Sequence, residues 1–153
     1  MNKEETDKYY IGETFKLALN GKYTVHPSPM VGAVIVKNGK IMGQGYHLKP
    51  GSPHAEQEAI NDAGKSAHNS TLYINLEPCC HYGRTPPCSD LIIRSKIKRV
   101  VVSSLDPNPV VNGKSIEQLK RSGIEVKIGV LKDDAIKLNQ GFFNKFLLKR
   151  PSV

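Results

Sequence analysis

The chain has 153 residues and a formal net charge of +8, with 24% charged and 39% hydrophobic side chains. This length is typical of one domain, and the composition is that of an ordinary globular protein, which excludes a disordered chain. No run approaches the roughly 18 apolar residues of a membrane helix, and the N-terminus lacks the apolar segment of a signal peptide. We therefore expect one globular domain over residues 1–153, without a membrane partner and located in the cytoplasm.

The positive charge could attract nucleic acid or a small anionic substrate. The lysines are dispersed, however, with one tight basic cluster at residues 94–99, and the aromatic residues include no Trp. Because a base-stacking surface is poorly supplied, we favour a small phosphorylated substrate over nucleic acid. The three cysteines, Cys79, Cys80 and Cys88, are odd in number and close together. This spacing favours a metal-binding or catalytic use over a set of disulfides.

Helical and strand patterns alternate along the chain. In chain order they predict a helix at 4–20, strands at 31–36 and 40–46, a helix at 54–65, a strand at 71–76, a helix at 88–96, a strand at 99–103, a helix at 115–122, a strand at 125–128 and a helix at 133–148. Gly21 would end the first helix as its C′ residue. Asn38-Gly39 is a strong signal for a two-residue hairpin between the first two strands.

This alternation predicts an α/β protein with a layered sheet. The first two strands should form an antiparallel hairpin, and the later strands should be parallel. Ligands of such sheets bind near the carboxyl ends of the strands, where loops end and helices begin. Two loops that combine Gly or Pro with polar, His or Cys residues fall at such positions, at 51–56 and 77–88.

Three short motifs at these positions could build a metal site. His54-Ala55-Glu56 opens a predicted helix, Pro78-Cys79 follows a predicted strand, and Pro87-Cys88 opens the next helix. A catalytic zinc ion takes three protein ligands and keeps a fourth position for water, and imidazole and thiolate both suit zinc. Glu56 could move protons to and from the activated water without binding the metal.

His-x-Glu followed by Pro-Cys-x-x-Cys is the signature of zinc nucleobase deaminases. The first half is present here, but Cys79 and Cys88 are nine positions apart and the chain has no Cys-x-x-Cys. His-x-Glu alone is a weak signal, and paired cysteines are often buried packing residues. A structural zinc with Cys80 or His81 as the fourth ligand also stays open.

In four strings, the chain resembles the deaminase half of the bifunctional riboflavin-biosynthesis deaminase-reductase: VGAVIV, HAEQEAI, EPCCHYGRTPPC and DPNP. The resemblance covers residues 10–153. It implies a three-layer cytidine-deaminase-like fold, an α/β fold in which a mixed five-stranded sheet has helices on both faces. It also implies zinc held by His54, Cys79 and Cys88, and Glu56 as the proton shuttle. The implied substrate is 2,5-diamino-6-ribosylamino-4(3H)-pyrimidinone 5′-phosphate, which would become the 5-amino-pyrimidinedione with loss of ammonia.

The resemblance also implies substrate contacts at His47, His81, Arg84, Asp106 and Asn108. Arg84 and His81 are chemically suited to a ribose phosphate or to ring oxygens. Asp106 and Asn108 could bind ribose or the base edge. A plain turn at Asp106 and a solvated surface arginine at Arg84 are the alternatives.

The chain departs from the family at Ser28-Pro29, where the family usually has Asn before Pro. Ser28 would contact the pyrimidine, but it is shorter than Asn and has no amide. The resemblance therefore predicts the reaction class more directly than the substrate. The last residues, 149–153, resemble the junction to a reductase domain, and no reductase follows in these 153 residues. We expect no nicotinamide cofactor, in either a stand-alone deaminase or an excised domain; a separate reductase partner and a homo-oligomer stay open.

Three other functions are alternatives to the deaminase of riboflavin biosynthesis. A tRNA-editing or other nucleobase deaminase is favoured by the positive charge but disfavoured by the absent Cys-x-x-Cys and by the insertion at residues 80–87. A zinc-stabilised binding module without activity is disfavoured by Glu56. A deaminase of the same family in another pyrimidine or pterin pathway stays open.

Overall fold

A computed structural model describes residues 1–80 and 86–147. The helices are α1 (Lys3–Ala18), α2 (Ala55–Ala63), α3 (Cys88–Arg94), α4 (Lys114–Arg121), α5 (Lys132–Leu138) and α6 (Gln140–Leu147). The strands are β1 (Gly32–Lys37), β2 (Lys40–Tyr46), β3 (Thr71–Leu76), β4 (Arg99–Ser104) and β5 (Glu125–Ile128). The predicted order of helices and strands is confirmed, except that the single helix expected at 133–148 is two helices. None of the described helices is long and apolar enough to cross a bilayer.

The five strands form one mixed sheet in the order β2-β1-β3-β4-β5. β1 is antiparallel to both β2 and β3, whereas β4 is parallel to β3 and β5. The hairpin between β1 and β2 turns at Asn38 and Gly39, with φ of 53° and 74°. Two consecutive positive φ angles are what a tight hairpin needs, and Asn-Gly is the pair that adopts them most readily. The predicted sheet and hairpin are thus confirmed.

Alternate side chains of the strands enter two separate cores, one on each face of the sheet. The first core contains Ile35, Leu72, Ile74, Val100 and Val102, packed against residues of α2, α3 and α4. The second core contains Val34, Val36, Tyr73 and Val101, packed against Tyr10 and Ile11 of α1 and against Val130. Helices on both faces of the sheet give the three layers that the sequence predicts.

Helix α2 lies directly against the edge strand β2, because two glycines of the strand leave room for its backbone. A Cβ atom at Gly43 would lie 2.6 Å from the nitrogen of Ala63, and one at Gly45 would lie 2.7 Å from the carbonyl oxygen of Ala55. Any side chain at these positions would push α2 away from the sheet. The two glycines therefore fix the position of the helix that begins immediately after His54.

Helix α5 ends at Asn139, whose φ and ψ of −115° and 38° are not helical and separate α5 from α6. The Asn139 side chain is used for a distant contact: its Oδ1 accepts a hydrogen bond from the nitrogen of Met30 (2.7 Å) and its Nδ2 donates to the carbonyl oxygen of Met30 (2.8 Å). The expectation of one uninterrupted helix was wrong, because apolar periodicity continues across the break.

The predicted role of Gly21 was also wrong. Helix α1 ends with Leu19 as its C-cap, and Gly21 belongs to a short 3₁₀ turn, Leu19–Gly21. A Cβ atom at Gly21 would lie 2.5 Å from the carbonyl oxygen of His47. Glycine is needed here for the close approach of two backbone segments rather than for a left-handed helix end.

Candidate active site

A cavity of about 290 Å³ lies where β3 and β4 end, and we call it the site cavity. The predicted site residues that line it include His54 and Glu56 at the start of α2 and Cys79 in the segment after β3. The carboxyl ends of neighbouring parallel strands share one edge of the sheet, and helices begin beside them. The position of the cavity is therefore the one that the strand order predicts.

The side chains of His54, Cys79 and Cys88 converge, with their donor atoms all within 4.8 Å of one another. Nδ1 of His54 lies 3.7 Å from Sγ of Cys79 and 3.3 Å from Sγ of Cys88. Tetrahedral zinc with ordinary bond lengths places such ligand atoms about 3.5–3.8 Å apart. The three donors thus fit a zinc ion in both chemistry and spacing, and Cys80 is not part of the group found among the described residues.

Backbone geometry explains how residues so far apart in sequence meet. His54 is the N-cap of α2, with extended φ and ψ of −72° and 160°, so its side chain stands at the helix start. Cys88 is the first residue of α3, and its backbone nitrogen donates a hydrogen bond to Sγ of Cys79 (3.2 Å). The nitrogen of Ser89 donates to the carbonyl oxygen of Cys79 (3.1 Å). The segment after β3 is therefore tied to the start of α3.

The pKa values of the Cys79 and Cys88 thiols are shifted in opposite directions. The hydrogen bond with Cys88 lowers the pKa of Cys79, and the hydrogen bond with His54 adds to this against the opposing effect of burial. The pKa of Cys88 is raised by the same thiol–thiol hydrogen bond and by burial. The hydrogen bond with Cys79 also raises the pKa of His54. These contacts favour the thiolate form of Cys79, which is the form that binds metal.

Glu56 is only 3% exposed and lies beside this cluster in the first turn of α2. Burial raises the pKa of its carboxyl to about 7, although the nearby His54 and a hydrogen bond with Cys88 act in the opposite direction. A carboxyl group with a pKa near neutrality can both accept and release a proton at physiological pH. Glu56 therefore has the environment of a general acid–base residue.

His47 is buried beside His54, and the two rings meet edge to face with their centroids 5.3 Å apart. Its Nδ1 lies 3.3 Å from the carbonyl oxygen of Pro53. Burial lowers the pKa of His47, so its imidazole is neutral at physiological pH. A neutral ring that faces the cavity can offer one nitrogen to a ligand while the other contacts the backbone.

The remaining predicted contacts divide into two groups. Ser28, Asp106 and Asn108 line the site cavity together with the cluster described above. His81 and Arg84 lie outside the described residues, and their roles stay predictions.

The cavity has an aromatic wall that the sequence did not predict. Phe142 and Phe146 of α6 line it, with their ring centroids 5.5 Å apart. Their spacing of four residues is a helical core pattern, so the only available signal indicated packing rather than ligand contact. Another residue that was not predicted is the buried Asn75, which donates to the carbonyl oxygen of Met30 (3.0 Å) and accepts from the nitrogen of Gly32 (2.8 Å). With Asn139, it fixes the segment that carries Ser28.

The chain matches the family model of the cytidine and deoxycytidylate deaminase zinc-binding region over residues 4–104. It is 52% identical to the diaminohydroxyphosphoribosylamino-pyrimidine deaminase of Buchnera aphidicola, over 91% of this chain and 95% of that protein. It is 54% identical to the riboflavin biosynthesis protein RibD of Aquifex aeolicus over 97% of this chain, which spans 42% of that longer protein.

Solved structures agree with these similarities. RibD of Acinetobacter baumannii superposes with a TM-score of 0.93 at 47% identity, over 95% of this chain and 41% of that one. The dCMP deaminase of the cyanophage S-TIM5 superposes with a TM-score of 0.65 at 24% identity, over 84% of this chain and 99% of that one. The second likeness shows that the fold is shared beyond close relatives.

Proposed function

The chain belongs to the cytidine and deoxycytidylate deaminase family, a family defined by a zinc-binding region, and we propose that it deaminates 2,5-diamino-6-ribosylamino-4(3H)-pyrimidinone 5′-phosphate. The product would be the 5-amino-pyrimidinedione and ammonia. The relative from Buchnera, which this chain matches over 95% of its length, bears the name of this activity. RibD proteins are longer, so their similarity supports the deaminase part alone.

The observation that carries the proposal is the convergence of His54, Cys79 and Cys88 beside the buried Glu56. These three residues would hold zinc through one imidazole nitrogen and two sulfurs, and the donor spacing fits that ion. When bound, zinc lowers the pKa of water enough to supply a nucleophile at neutral pH. Three protein ligands leave the fourth position open, which favours a catalytic site over a structural one.

Glu56 would carry the protons of the reaction. Hydrolysis forms a C–O bond at the ring carbon and breaks the C–N bond to its exocyclic amine, so that water is consumed and ammonia is released. The Glu56 carboxylate would take one proton from water, deliver it to the ring nitrogen, and later help to protonate the leaving amine. Its pKa of about 7 suits both directions of transfer.

Ser28, His47, Asp106 and Asn108 would hold the substrate around the reacting carbon. All four line the site cavity, whose other wall is formed by aromatic side chains of α6. Polar groups at one end of an apolar cavity fix the orientation of a ligand, and the apolar wall excludes water from it. Ser28 offers one hydroxyl group where the family usually has an amide, so it would make fewer contacts with the ring.

Hydrolytic deamination uses water and no reducing equivalents. We therefore propose that the deamination step carried by these residues needs no nicotinamide cofactor. The three cysteines are free thiols, which fits a reducing compartment such as the cytoplasm.

The direct test is ammonia release from the diaminopyrimidinone phosphate, with zinc content determined on the same sample. We expect about one zinc per chain and release of one ammonia per substrate consumed. Cytidine, dCMP and tRNA serve as comparison substrates. A zinc-loaded protein that releases ammonia from one of these, and not from the diaminopyrimidinone phosphate, would contradict the proposed substrate but not the reaction class.

Arg84 tests whether the phosphate is recognised. A guanidinium can form a bidentate contact with a phosphate, so Arg84→Ala should weaken binding of the phosphorylated substrate by about 1.5–3 kcal/mol. The same substitution should have little effect on the dephosphorylated nucleoside, which should itself be a poorer substrate of the unmodified protein. Equal losses with both substrates would show that Arg84 does not contact the phosphate.

A further inference from the structure

Glu77 is a buried carboxylate that links the metal-site segment to the loop between β4 and α4. It lies directly after β3 and two residues before Cys79, and it is 6% exposed. Its backbone nitrogen donates a hydrogen bond to the carbonyl oxygen of Ser104 (2.9 Å), which continues the pairing of β3 with β4. Its side chain reaches across to residues 106–115.

Four donors of this loop and of α4 converge on the Glu77 carboxylate. Oε1 accepts from the backbone nitrogens of Asp106 (3.1 Å) and Gly113 (2.9 Å). Oε2 accepts from the backbone nitrogen of Ser115 (3.2 Å) and from its hydroxyl group (2.8 Å). Among residues 1–80 and 86–147, no ion pair involves Glu77. The charge is therefore stabilised by uncharged donors that all come from one segment.

A carboxylate suits this position because both of its oxygens only accept hydrogen bonds. Helix α4 begins at Lys114, after Gly113 with a φ of 79°, and no residue beside it caps the helix through its own side chain. Glu77 supplies that cap from a distant strand, since the first nitrogens of a helix lack partners within it. A glutamine at position 77 would direct an NH₂ group at two of the four donors, and those contacts would become repulsive.

The loop that Glu77 holds carries two residues of the site cavity. Asp106 and Asn108 line the cavity, and they are joined because Oδ1 of Asp106 accepts from the nitrogen of Asn108 (2.9 Å). The side chain of Asn112 in turn donates to the carbonyl oxygen of Asp106 (2.8 Å). Since Glu77 binds the loop both at Asp106 and at Gly113, it fixes both ends of the segment between them.

We propose that Glu77 is a positioning residue that sets Asp106 and Asn108 against the substrate, at a fixed distance from the metal-binding cysteine two residues away. This proposal rests on the function proposed above. Glu77 itself would transfer no proton and bind no metal. Its loss should therefore impair substrate binding more than turnover, because His54, Glu56 and Cys79 keep their places.

The test compares Glu77→Gln with Ser115→Ala and with a control, Tyr73→Phe. The control removes a buried hydroxyl group that donates to Asp7 (2.8 Å), away from the cavity, so it reports the loss of a buried hydrogen bond alone. Each protein is measured for zinc content, melting temperature, kcat and KM. Hydrogen exchange of the backbone amides of Asp106 and Gly113 reports the loop directly.

Glu77→Gln should keep its zinc, exchange these amides faster, and raise KM about tenfold or more with kcat changed far less, because misplaced binding groups are costly. Ser115→Ala, which removes one of the four contacts, should raise KM about two- to fivefold. Tyr73→Phe should lower the melting temperature without changing KM.

An unchanged KM in Glu77→Gln, with a lowered melting temperature like that of the control, would overturn the proposal. If Glu77→Gln does not fold, an unchanged KM and unchanged exchange in Ser115→Ala would overturn it. If the unmodified, zinc-loaded protein does not act on the diaminopyrimidinone phosphate, the proposed function fails. The exchange measurement would still decide whether Glu77 holds the loop.

Discussion

Asp7 lies beside the first residue of β4, and Glu56 lines the cavity where β4 ends; they are 1% and 3% exposed. Burial by itself would raise the pKa of Asp7, but the hydrogen bonds from Arg99 and Tyr73 and the charge of Arg99 outweigh it, so its pKa is lowered. Burial raises the pKa of Glu56 to about 7. Two carboxyl groups with nearly the same exposure thus have pKa values shifted in opposite directions, because hydrogen bonds from Arg99 and Tyr73 outweigh burial at Asp7, whereas burial dominates at Glu56.

The difference separates a network of paired charged side chains from a candidate metal site. Arg99 donates to both oxygens of Asp7 at 2.8 Å and through Nε to Glu125 at 2.8 Å, while the hydroxyl of Tyr73 donates to Asp7. This network joins α1, β3, β4 and β5. At the other end of the strands, one imidazole and two sulfurs converge in a spacing that fits a zinc ion.

Removing a metal ligand should have the largest effect. Cys88→Ser should reduce bound zinc to less than about a tenth of one per chain, and activity with it, because a structural or catalytic zinc needs its thiolates. Cys80→Ser is the matched control and should keep both zinc and activity, since Cys80 is outside the converging group. Zinc is measured by atomic absorption on freshly purified protein. Loss of zinc in Cys80→Ser and retention in Cys88→Ser would show that the ligands are wrongly assigned.

Glu56→Gln should have the next largest effect. It keeps the size of the side chain and removes its ability to exchange protons, so turnover should fall by about 10²–10⁴-fold. Zinc should remain bound, because Glu56 is not needed as a ligand. Steady-state ammonia release by metal-replete protein measures the loss. Near-normal turnover in such a sample would exclude Glu56 as the proton shuttle.

Arg99→Met should affect stability and not chemistry. It leaves the Asp7 carboxylate buried without its guanidinium, and breaking a buried ion pair in this way costs about 3–5 kcal/mol. We expect the lower end of that range, because the hydroxyl of Tyr73 and Nζ of Lys127, 4.0 Å from Asp7, remain. Urea unfolding measures the change, and kcat/KM of the folded protein should stay the same. A loss of kcat/KM without a loss of stability would contradict the separation of the two regions.

Acid should remove the stability that the ionised Asp7 carboxylate contributes, and the direction of its pKa shift fixes the pH range in which this happens. Its folded-state pKa lies below the ordinary value of 3.8, so the ionised carboxylate contributes stability that is fully present above pH 3.8. That contribution is lost as the pH falls through the lower, folded-state pKa. The stability advantage of the unmodified protein over Asp7→Asn should therefore shrink below pH 3.8. Unfolding of both proteins without zinc checks this, and a difference that does not depend on pH would refute it.

Local patterns in the sequence were enough to predict much of the fold. The hairpin at Asn38-Gly39 and the succession of helices and strands along the chain follow from side-chain periodicity and turn chemistry. The break at Asn139 was missed because its cause is a pair of hydrogen bonds to Met30, more than a hundred residues earlier. Such a contact leaves no trace in the periodicity of the neighbouring residues.

The predicted metal group and Glu56 were found together in space, whereas the residues that organise the cavity were not foreseen. His-x-Glu and the two Pro-Cys steps are informative because zinc chemistry restricts the residue types that can serve. Glu77 lies directly before Pro78-Cys79 in the sequence. Nothing in a single Glu before Pro indicates that its carboxylate binds residues 106–115. Phe142 and Phe146 have the same spacing as ordinary core residues, so only their position beside the cavity distinguishes them.

The sequence by itself determined which segments are helices and strands and which few side chains could hold a metal and move a proton. These properties depend on residue type and on short spacing, and both can be read along the chain. The tertiary structure alone decided that Asp7 is held ionised by Arg99, 92 residues away, while Glu56 is left with a pKa of about 7. The physical reason is that the charge state of a buried carboxyl depends on which distant groups are packed against it.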